Sequence, residues 1–188
     1  MLPVIRGLLE GENVKLTAID DADIPIIEEW FNDIRFLRHY DMVPAIPKNL
    51  KQVAEMIKYY NDSQEKYIFA VRTKDNNRII GVAGFDEIIW SNGVSTVFIG
   101  IGNNEFTGKG FGTEAMRLLL DYGFNELNFY RIQLNVIAYN ERAIKLYEKL
   151  GFIREGTLRE FIFRDGKRYD MYVYGLLRHE WGGINERK

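Results

Sequence analysis

The spacing of apolar residues in the first third of the chain predicts a strand followed by a helix. Residues 13–19 alternate between apolar and polar positions and include Val, Thr and Ile, which is typical of a strand. Ile24, Ile27 and Phe31 then recur at helical spacing. Asp20 precedes them as a favoured cap residue, so the helix is expected to begin just after it.

The next segment lacks a clear period. Residues 35–47 read RFLRHYDMVPAIP, rich in aromatic residues and interrupted by Pro44 and Pro47. We expect an irregular loop that either packs over the core or forms one wall of a substrate pocket. Asn49 then caps a predicted helix. Its apolar face repeats at i, i+3, i+4 and i+7 in Leu50, Val53, Ala54 and Ile57.

Three successive strands are predicted in the middle of the chain. They cover residues 66–72, 78–90 and 94–102, with turn residues at 74–77 and the dipeptide Asn92-Gly93 between the last two. Gly81 and Gly84 within the second strand predict a bend or bulge. The pattern indicates an antiparallel meander.

The second half adds two helices and three strands. The apolar residues Ala115, Leu118, Leu119 and Tyr122 mark one helix face, 131–138 is a buried strand, and a second helix follows Asn140. Segments 152–163 and 167–176 form a hairpin across Asp165-Gly166, and the polar tail 179–188 is expected to fray. The fold class is therefore α+β, in three layers: a mostly antiparallel, seven-stranded sheet with helices on both faces. We expect one domain over 1–188, with its core at about 13–177.

Composition excludes several function classes. Hydrophobic residues make up 46% and charged residues 28%, as in an ordinary globular protein. The net charge of −2 and the pI near 5.8 argue against nucleic-acid binding. No apolar run suits a membrane span, and no signal peptide is recognisable, so we expect a cytoplasmic protein. With no cysteine and two histidines, no metal site is expected.

A glycine-spaced turn is the first chemical signal. Gly108, Gly110 and Gly112 alternate with Lys109 and Phe111 just before a predicted helix. Glycines let the backbone turn tightly, and the free N–H groups of a helix N-terminus attract phosphate. A flexible capped loop is the plain alternative. A Walker loop does not fit, because glycine follows the lysine, and the following elements do not make a dinucleotide-binding βαβ unit.

Two motifs in sequence resemble a known family. TGKGFGTEA, at 107–115, resembles the acetyl-CoA loop Q/R-x-x-G-x-G/A of the GNAT superfamily of N-acyltransferases. NERAIKLYEKLGF, at 140–152, resembles that superfamily's second signature, N-x-x-A-x-x-x-Y-x-x-x-G-F. EGTLR, at 155–159, is similar to the branch that holds ribosomal-protein N-terminal acetyltransferases and spermidine N-acetyltransferases. The likeness covers roughly residues 13–177.

The resemblance implies acetyl-CoA as cosubstrate and a primary amine as acceptor. The strands at 94–102 and 130–138 would splay apart, and the cosubstrate's pantetheine arm would enter the gap. Val97, Ile99 and Ile101 would line that channel. The phosphates would bind Gly108, Lys109, Gly110, Phe111, Gly112 and Thr113. Thr107 stands where the family often has Gln or Arg, which removes one long polar contact and leaves the backbone cradle.

The resemblance also suggests catalytic residues. Tyr147 would protonate the leaving thiolate, although a helix tyrosine is commonly a packing residue. Asn140 would contact the cosubstrate or the tetrahedral intermediate, although asparagine is also a favoured helix cap. For the general base the sequence offers Glu87, with Asp86 second. A substrate that arrives deprotonated would need no base, which an α-amine achieves more easily than a lysine-like amine.

Other interpretations stay open at this point. A non-catalytic acyl-CoA-binding regulator would explain the absence of an obvious base, and a nucleotide-binding protein would use the same loop for ATP. Among acceptors, protein or peptide N-termini, polyamines and amine antibiotics all remain. The sequence does not determine the oligomeric state; a homodimer is one alternative, because members of the family often dimerise.

Overall fold

The computed structural model describes residues 7–182, which form one seven-stranded sheet with helices on both faces. The strand order is β1-β2-β3-β4-β5-β7-β6. The strands are β1 (Val14–Thr17), β2 (Tyr67–Thr73), β3 (Ile79–Ile89), β4 (Val94–Ile101), β5 (Arg131–Ile137), β6 (Ile153–Arg164) and β7 (Lys167–Leu177). The helices are α1 (Ile24–Asn32), α2 (Ile34–Tyr40), α3 (Leu50–Asp62), α4 (Phe111–Asn125) and α5 (Glu141–Lys149). Neighbouring strands pair antiparallel except β4 and β5, which are parallel. The predicted α+β fold is confirmed.

Two apolar clusters hold the layers together, one on each face of the sheet. The larger joins α4 and α5 to the sheet, and the smaller joins α1, α2 and α3 to it. Because side chains alternate along a strand, β4 serves both clusters: Val97 and Ile99 belong to the first and Phe98 to the second. Each polar residue of β4 can therefore be assigned to one face of the sheet from the cluster that its neighbours along the strand contact.

The predicted cap residue Asn49 and the predicted hairpin turns act as expected, whereas a 3₁₀ turn at Asp21–Asp23 follows Asp20 and α1 begins only at Ile24. Asn49 begins α3: its Oδ1 accepts from the Gln52 N–H at 3.0 Å, and its own N–H donates to Gln52 Oε1 at 3.0 Å. The β6–β7 hairpin turns at Asp165 and Gly166, both with positive φ (51° and 72°). The β3–β4 connection is a hairpin, as predicted, with a 3₁₀ turn before Gly93 (φ 60°).

The predicted bulge in β3 is present beside Gly81, where its register with β2 shifts. At position 84, glycine is required for a different reason. A Cβ there would lie 2.0 Å from the Tyr67 carbonyl oxygen and 2.7 Å from the Phe98 ring, so only glycine admits these neighbours.

The prediction of an irregular loop over 35–47 is wrong in its first half. Residues 34–40 form α2, which Asp33 begins by accepting from the Arg35 N–H at 2.8 Å. Leu37 is 5% exposed and anchors the helix in the smaller cluster. The aromatic residues that suggested an irregular loop pack against one another: the Phe36 and Tyr40 rings stack at 5.1 Å.

The expectation that residues 179–188 fray is wrong for Trp181. Its ring stacks on Phe124 at 6.4 Å, and its Nε1 donates to Asp121 Oδ1 at 2.6 Å. Indole burial therefore fixes the chain just after β7. Residues 183–188 lie outside the described part of the chain.

Candidate active site

The sheet opens between β4 and β5. The two strands pair only from Val94↔Arg131 to Thr96↔Gln133, and then separate. Beyond Thr96, β4 stays paired with β3 on its other side, as far as Ile101↔Gly81. The edge of β4 that faces β5 therefore presents backbone N–H and C=O groups to the gap. We call Thr96 the apex of the gap.

The three apolar residues predicted to line this gap differ in accessibility. Val97 is 3% exposed and lies in the larger cluster, so its side chain is packed into the core. Ile99 and Ile101 are half-buried and pack against the same cluster. Gly100 faces the other way, where a Cβ would lie 2.6 Å from the Tyr40 ring. This glycine lets α2 approach β4.

The glycine turn stands directly before α4. Gly108 (φ 74°) and Gly110 (φ 91°) have left-handed backbones, and a Cβ on either would meet no atom within 4 Å. Gly110 caps α4 without a side chain, so the N–H groups of the first helical turn, at Phe111, Gly112 and Thr113, are left for another partner. Their partial positive charge, with that of the helix dipole, makes an open anion site.

Neighbouring contacts place this turn at the mouth of the gap. A Cβ on Gly112 would lie 3.5 Å from Ile101, at the end of β4, and 3.7 Å from Leu146 on α5. The Phe106 and Phe111 rings meet edge to face at 5.3 Å and hold the turn against the helix. Lys109 is exposed beside it.

Glu114, in the first turn of α4, makes a contact with Asn13 that was not predicted from the sequence. Its two carboxylate oxygens accept from the backbone N–H and the side-chain Nδ2 of Asn13, at 2.8 and 3.0 Å. The acidic charge near the helix N-terminus is thereby committed to the start of β1. The preference for acidic residues in the first turn of a helix could have singled out Glu114 in the sequence.

Tyr147 lies inside the larger cluster and is 7% exposed. Its ring meets Phe152 edge to face at 5.8 Å. Burial raises the pKa of Tyr147 to about 12, because the protein interior disfavours the phenolate. Among residues 7–182, no group forms a hydrogen bond with its hydroxyl. Tyr147 is therefore a packing residue whose phenol stays protonated at neutral pH.

Asn140 acts as the cap of α5, one of its two expected roles. Its Oδ1 accepts from the Ala143 N–H at 3.3 Å. Its Nδ2 donates to the His39 carbonyl oxygen at 3.2 Å. Because both ends of the amide are engaged, Asn140 fixes the start of α5 against the end of α2.

The helix α2 bridges the gap. At one side, Tyr40 packs on Phe98 of β4, with the ring centroids 6.2 Å apart. At the other side, the Tyr139 hydroxyl, just after β5, donates to the Arg38 carbonyl oxygen at 2.5 Å. The first half of the segment predicted as a loop or pocket wall is thus a helix, and it ties the two separated strands together. Asp33 followed by Ile34 and Leu37 was the signal that could have revealed it.

Glu87 lies at the apex in an unusual backbone conformation. It has φ 51° and sits in the irregular stretch where the β3–β4 register shifts between Asp86 and Ile89. Its Oε2 accepts from the Thr96 hydroxyl at 3.0 Å. A left-handed backbone is uncommon for glutamate, and such conformations cluster at functional sites. The bulge directs an exposed carboxylate to the point where β4 and β5 part.

Asp86, the second candidate base, is already engaged. Lys66 forms an ion pair with its Oδ1, and the Tyr60 hydroxyl donates to its Oδ2 at 3.0 Å. Both carboxylate oxygens therefore have donors, and a proton from a substrate would have to displace one of them. Of the two acids, Glu87 is the one with its carboxylate at the apex.

A sheet that opens between two parallel strands, with a glycine turn at its mouth, is the arrangement expected of an N-acyltransferase. The GNAT acetyltransferase domain model matches residues 13–153. The chain therefore belongs to the GNAT family of acetyltransferases, and the predicted family and enzyme class are confirmed.

Relatives and solved structures agree with this assignment. The chain is 31% identical over 178 residues to the N-acetyltransferase p20 of Bacillus licheniformis, over 93% of this chain and 98% of that one. It is 28% identical to the spermidine N(1)-acetyltransferase of Escherichia coli K12, over 91% and 89% of the two chains. The structure of spermidine N-acetyltransferase from Vibrio cholerae with CoA and spermine superimposes with a TM-score of 0.81 at 26% identity, over 89% and 96% of the two chains.

Two further findings concern metals and membranes. Within residues 7–182, no group of three or more His, Asp or Glu side chains is placed to hold a metal ion. No helix in the same part of the chain has the length and apolarity required to cross a bilayer.

Proposed function

We propose that this protein transfers the acetyl group of acetyl-CoA to a primary amine by direct attack of the nitrogen on the thioester. The observation that carries the proposal is the gap between β4 and β5 with the anion site at its mouth. Primary-amine acceptors include a protein or peptide N-terminus and small amines. The spermidine N-acetyltransferases among the relatives support an amine acceptor.

The cosubstrate would bind mainly through backbone groups. The pyrophosphate would take the N–H groups of Gly108, Gly110, Phe111, Gly112 and Thr113, with the Lys109 ammonium adding charge. The pantetheine amides would pair with the free edge of β4 as a further strand would. Ile99 and Ile101, and Val97 through its backbone, would then contact the arm.

The chemistry needs two protons removed from the acceptor ammonium and one delivered to the sulfur. Glu87 would take a proton from the acceptor ammonium, directly or through water, because only the neutral nitrogen is nucleophilic. The nitrogen forms a bond to the carbonyl carbon, the carbon–sulfur bond breaks, and Tyr147 would give its proton to the departing sulfur. A second amine proton leaves to solvent, and the phenolate is reprotonated. Asn140 would act by fixing the helix that carries Tyr147.

Free-thiol release from acetyl-CoA tests the proposal. The panel would contain N-terminal peptides, spermidine and an aminoglycoside. Amine-dependent release by the wild type supports the proposal, and Glu87→Gln is expected to lower kcat/KM about a hundredfold. Glu55→Gln on the outer surface of α3, where the carboxylate side chain is 64% exposed, is the matched control. CoA binding with no release for any amine would favour a non-catalytic acyl-CoA-binding regulator instead.

A homodimer through β6 is also proposed. This strand is an outer edge of the sheet, and it exposes Leu158, Phe161 and Phe163 at 40%, 51% and 58%. Exposed edges with apolar side chains favour pairing with another chain. Sedimentation of the wild type beside Phe161→Asp would test this, since a monomeric wild type contradicts it. A cytoplasmic location stays a prediction from the sequence.

A further inference from the structure

A lysine ammonium occupies a small site made of one carboxylate and two aromatic rings. Lys66 Nζ pairs with Asp86 Oδ1 and lies 5.6 Å from the ring centroids of both Tyr59 and Tyr60. The Lys66 and Asp86 side chains are only 20% and 28% exposed. We call Asp86, Tyr59 and Tyr60 the ammonium cage. A carboxylate with aromatic faces is the chemistry that binds alkylammonium groups.

The cage borders the apex of the gap. Asp86 is the cross-strand partner of Thr96, the last residue of β4 that pairs with β5. Adjacent strands lie about 5 Å apart, so the carboxylate is one strand from the apex. The Tyr60 ring also meets Phe98, the next residue of β4 on the same face, at 5.6 Å. An acceptor amine held at the apex would have the cage beside it.

The Tyr60 hydroxyl occupies one of the two carboxylate oxygens in the cage. Burial, with the negative charge of Asp86 next to it, raises the pKa of the Tyr60 phenol. The phenol therefore stays protonated and donates to one oxygen of Asp86. The other oxygen accepts from the Glu87 backbone N–H at 2.9 Å, and Lys66 is the cation that pairs with it.

We propose that Lys66 is a specificity-determining residue, which fills the ammonium cage and so disfavours acceptors that carry a second cation near the reacting amine. The inference rests on the proposed acetyl transfer to an amine and narrows its substrate class. A polyamine would have to displace the Lys66 ammonium or place its own beside a like charge. An acceptor with one cationic centre, such as the N-terminus of a neutral peptide, meets neither cost.

Direct binding of spermidine by calorimetry, with CoA present, is the test. Lys66→Met empties the cage and is expected to tighten spermidine binding about five- to tenfold. Lys66→Arg keeps the cation and is expected to match the wild type. Lys58→Met removes a lysine from α3 that is 73% exposed and pairs with Asp62, so it controls for net charge. Lys66→Gln, which retains a donor for Asp86, is the second variant if Lys66→Met does not fold.

The double variant Lys66→Met/Asp86→Asn separates the cage from a general charge effect. It is expected to return spermidine affinity to the wild-type level, since the carboxylate that receives the second ammonium is gone. Spermidine affinity in Lys66→Met and Lys66→Gln equal to that of the wild type would overturn the inference, as would an equal gain from Lys58→Met.

Turnover distinguishes this inference from the proposed function. The ratio of kcat/KM for spermidine to kcat/KM for a neutral N-terminal peptide is expected to rise in Lys66→Met by the same factor as the affinity. Thiol release with an unchanged ratio would overturn the role of Lys66 and leave the transferase intact. Absence of thiol release with every amine would overturn the proposed transferase activity. The calorimetric comparison would still decide whether Lys66 weakens spermidine binding at the cage.

Discussion

Tyr147→Phe separates the packing role of this residue from its proposed role as an acid. The change removes one hydroxyl and keeps the ring that contacts Phe152. Within residues 7–182 that hydroxyl forms no hydrogen bond, so none is lost there. We therefore expect the free energy of unfolding at neutral pH to change by less than about 1 kcal/mol. The expected loss lies in kcat, about a hundredfold or more, as for removal of a positioned general acid.

The raised pKa gives a second, independent signature. The pKa of Tyr147 is raised by burial from 10.0 to about 12, and a difference of that size corresponds to about 3 kcal/mol. Because burial penalises only the phenolate, both proteins keep their stability below about pH 10, and the folded wild type loses up to this amount as the pH rises from about 10 to about 12. The wild type should show this loss in that window, and Tyr147→Phe should not. The other tyrosines titrate in both proteins and cancel in the difference.

Two measurements check these expectations. Thiol release with saturating acetyl-CoA gives kcat, and urea unfolding at a series of alkaline pH values gives the stability difference. A folded Tyr147→Phe enzyme with wild-type kcat at every pH would refute the acid role. Parallel stability curves above pH 10 would refute the burial argument, because the phenol would then titrate alike in the folded and unfolded chains.

Three more changes test other parts of the structure. Gly110→Ala (φ 91°) should cost about 1 kcal/mol in stability and raise KM for acetyl-CoA about tenfold. The matched control is Gly166→Ala (φ 72°) in the β6–β7 turn, which should leave KM unchanged. Arg72→Met leaves the Asp23 carboxylate, 6% exposed, without its ion-pair partner, so urea unfolding should show a loss of about 3–5 kcal/mol. Trp181→Ala should lower stability by about 2 kcal/mol, and an unchanged melting temperature would contradict the packing described for it.

Periodic segments and turn dipeptides predicted most of the fold correctly. The helix after Asn49 and the hairpin at Asp165-Gly166 depend on local chemistry, which a sequence displays directly. The helix α2 was missed because its residues 36, 39 and 40 are aromatic, and their helical conformation depends on packing against one another and on Gly100 of β4. Long-range contacts of this kind override weak local preferences.

The candidate site shows the same division. The glycine turn and Tyr147 could be placed from motifs, because their spacing is local. The engagement of Asp86 by Lys66 and Tyr60 could not, since these residues come from β3, α3 and the segment before β2. The contact between Glu87 and Thr96 also depends on a bulge and a left-handed backbone that alternation cannot predict.

The central claim is that the chain moves an acetyl group from CoA to an amine nitrogen. The most direct measurement is mass spectrometry of the acceptor, taken alongside thiol release in the same reaction. The account predicts one N-acetyl group on the acceptor for each thiol released, and loss of both in Tyr147→Phe and Glu87→Gln. Thiol release without acetylated acceptor would indicate hydrolysis, and binding of acetyl-CoA with neither product would contradict the account.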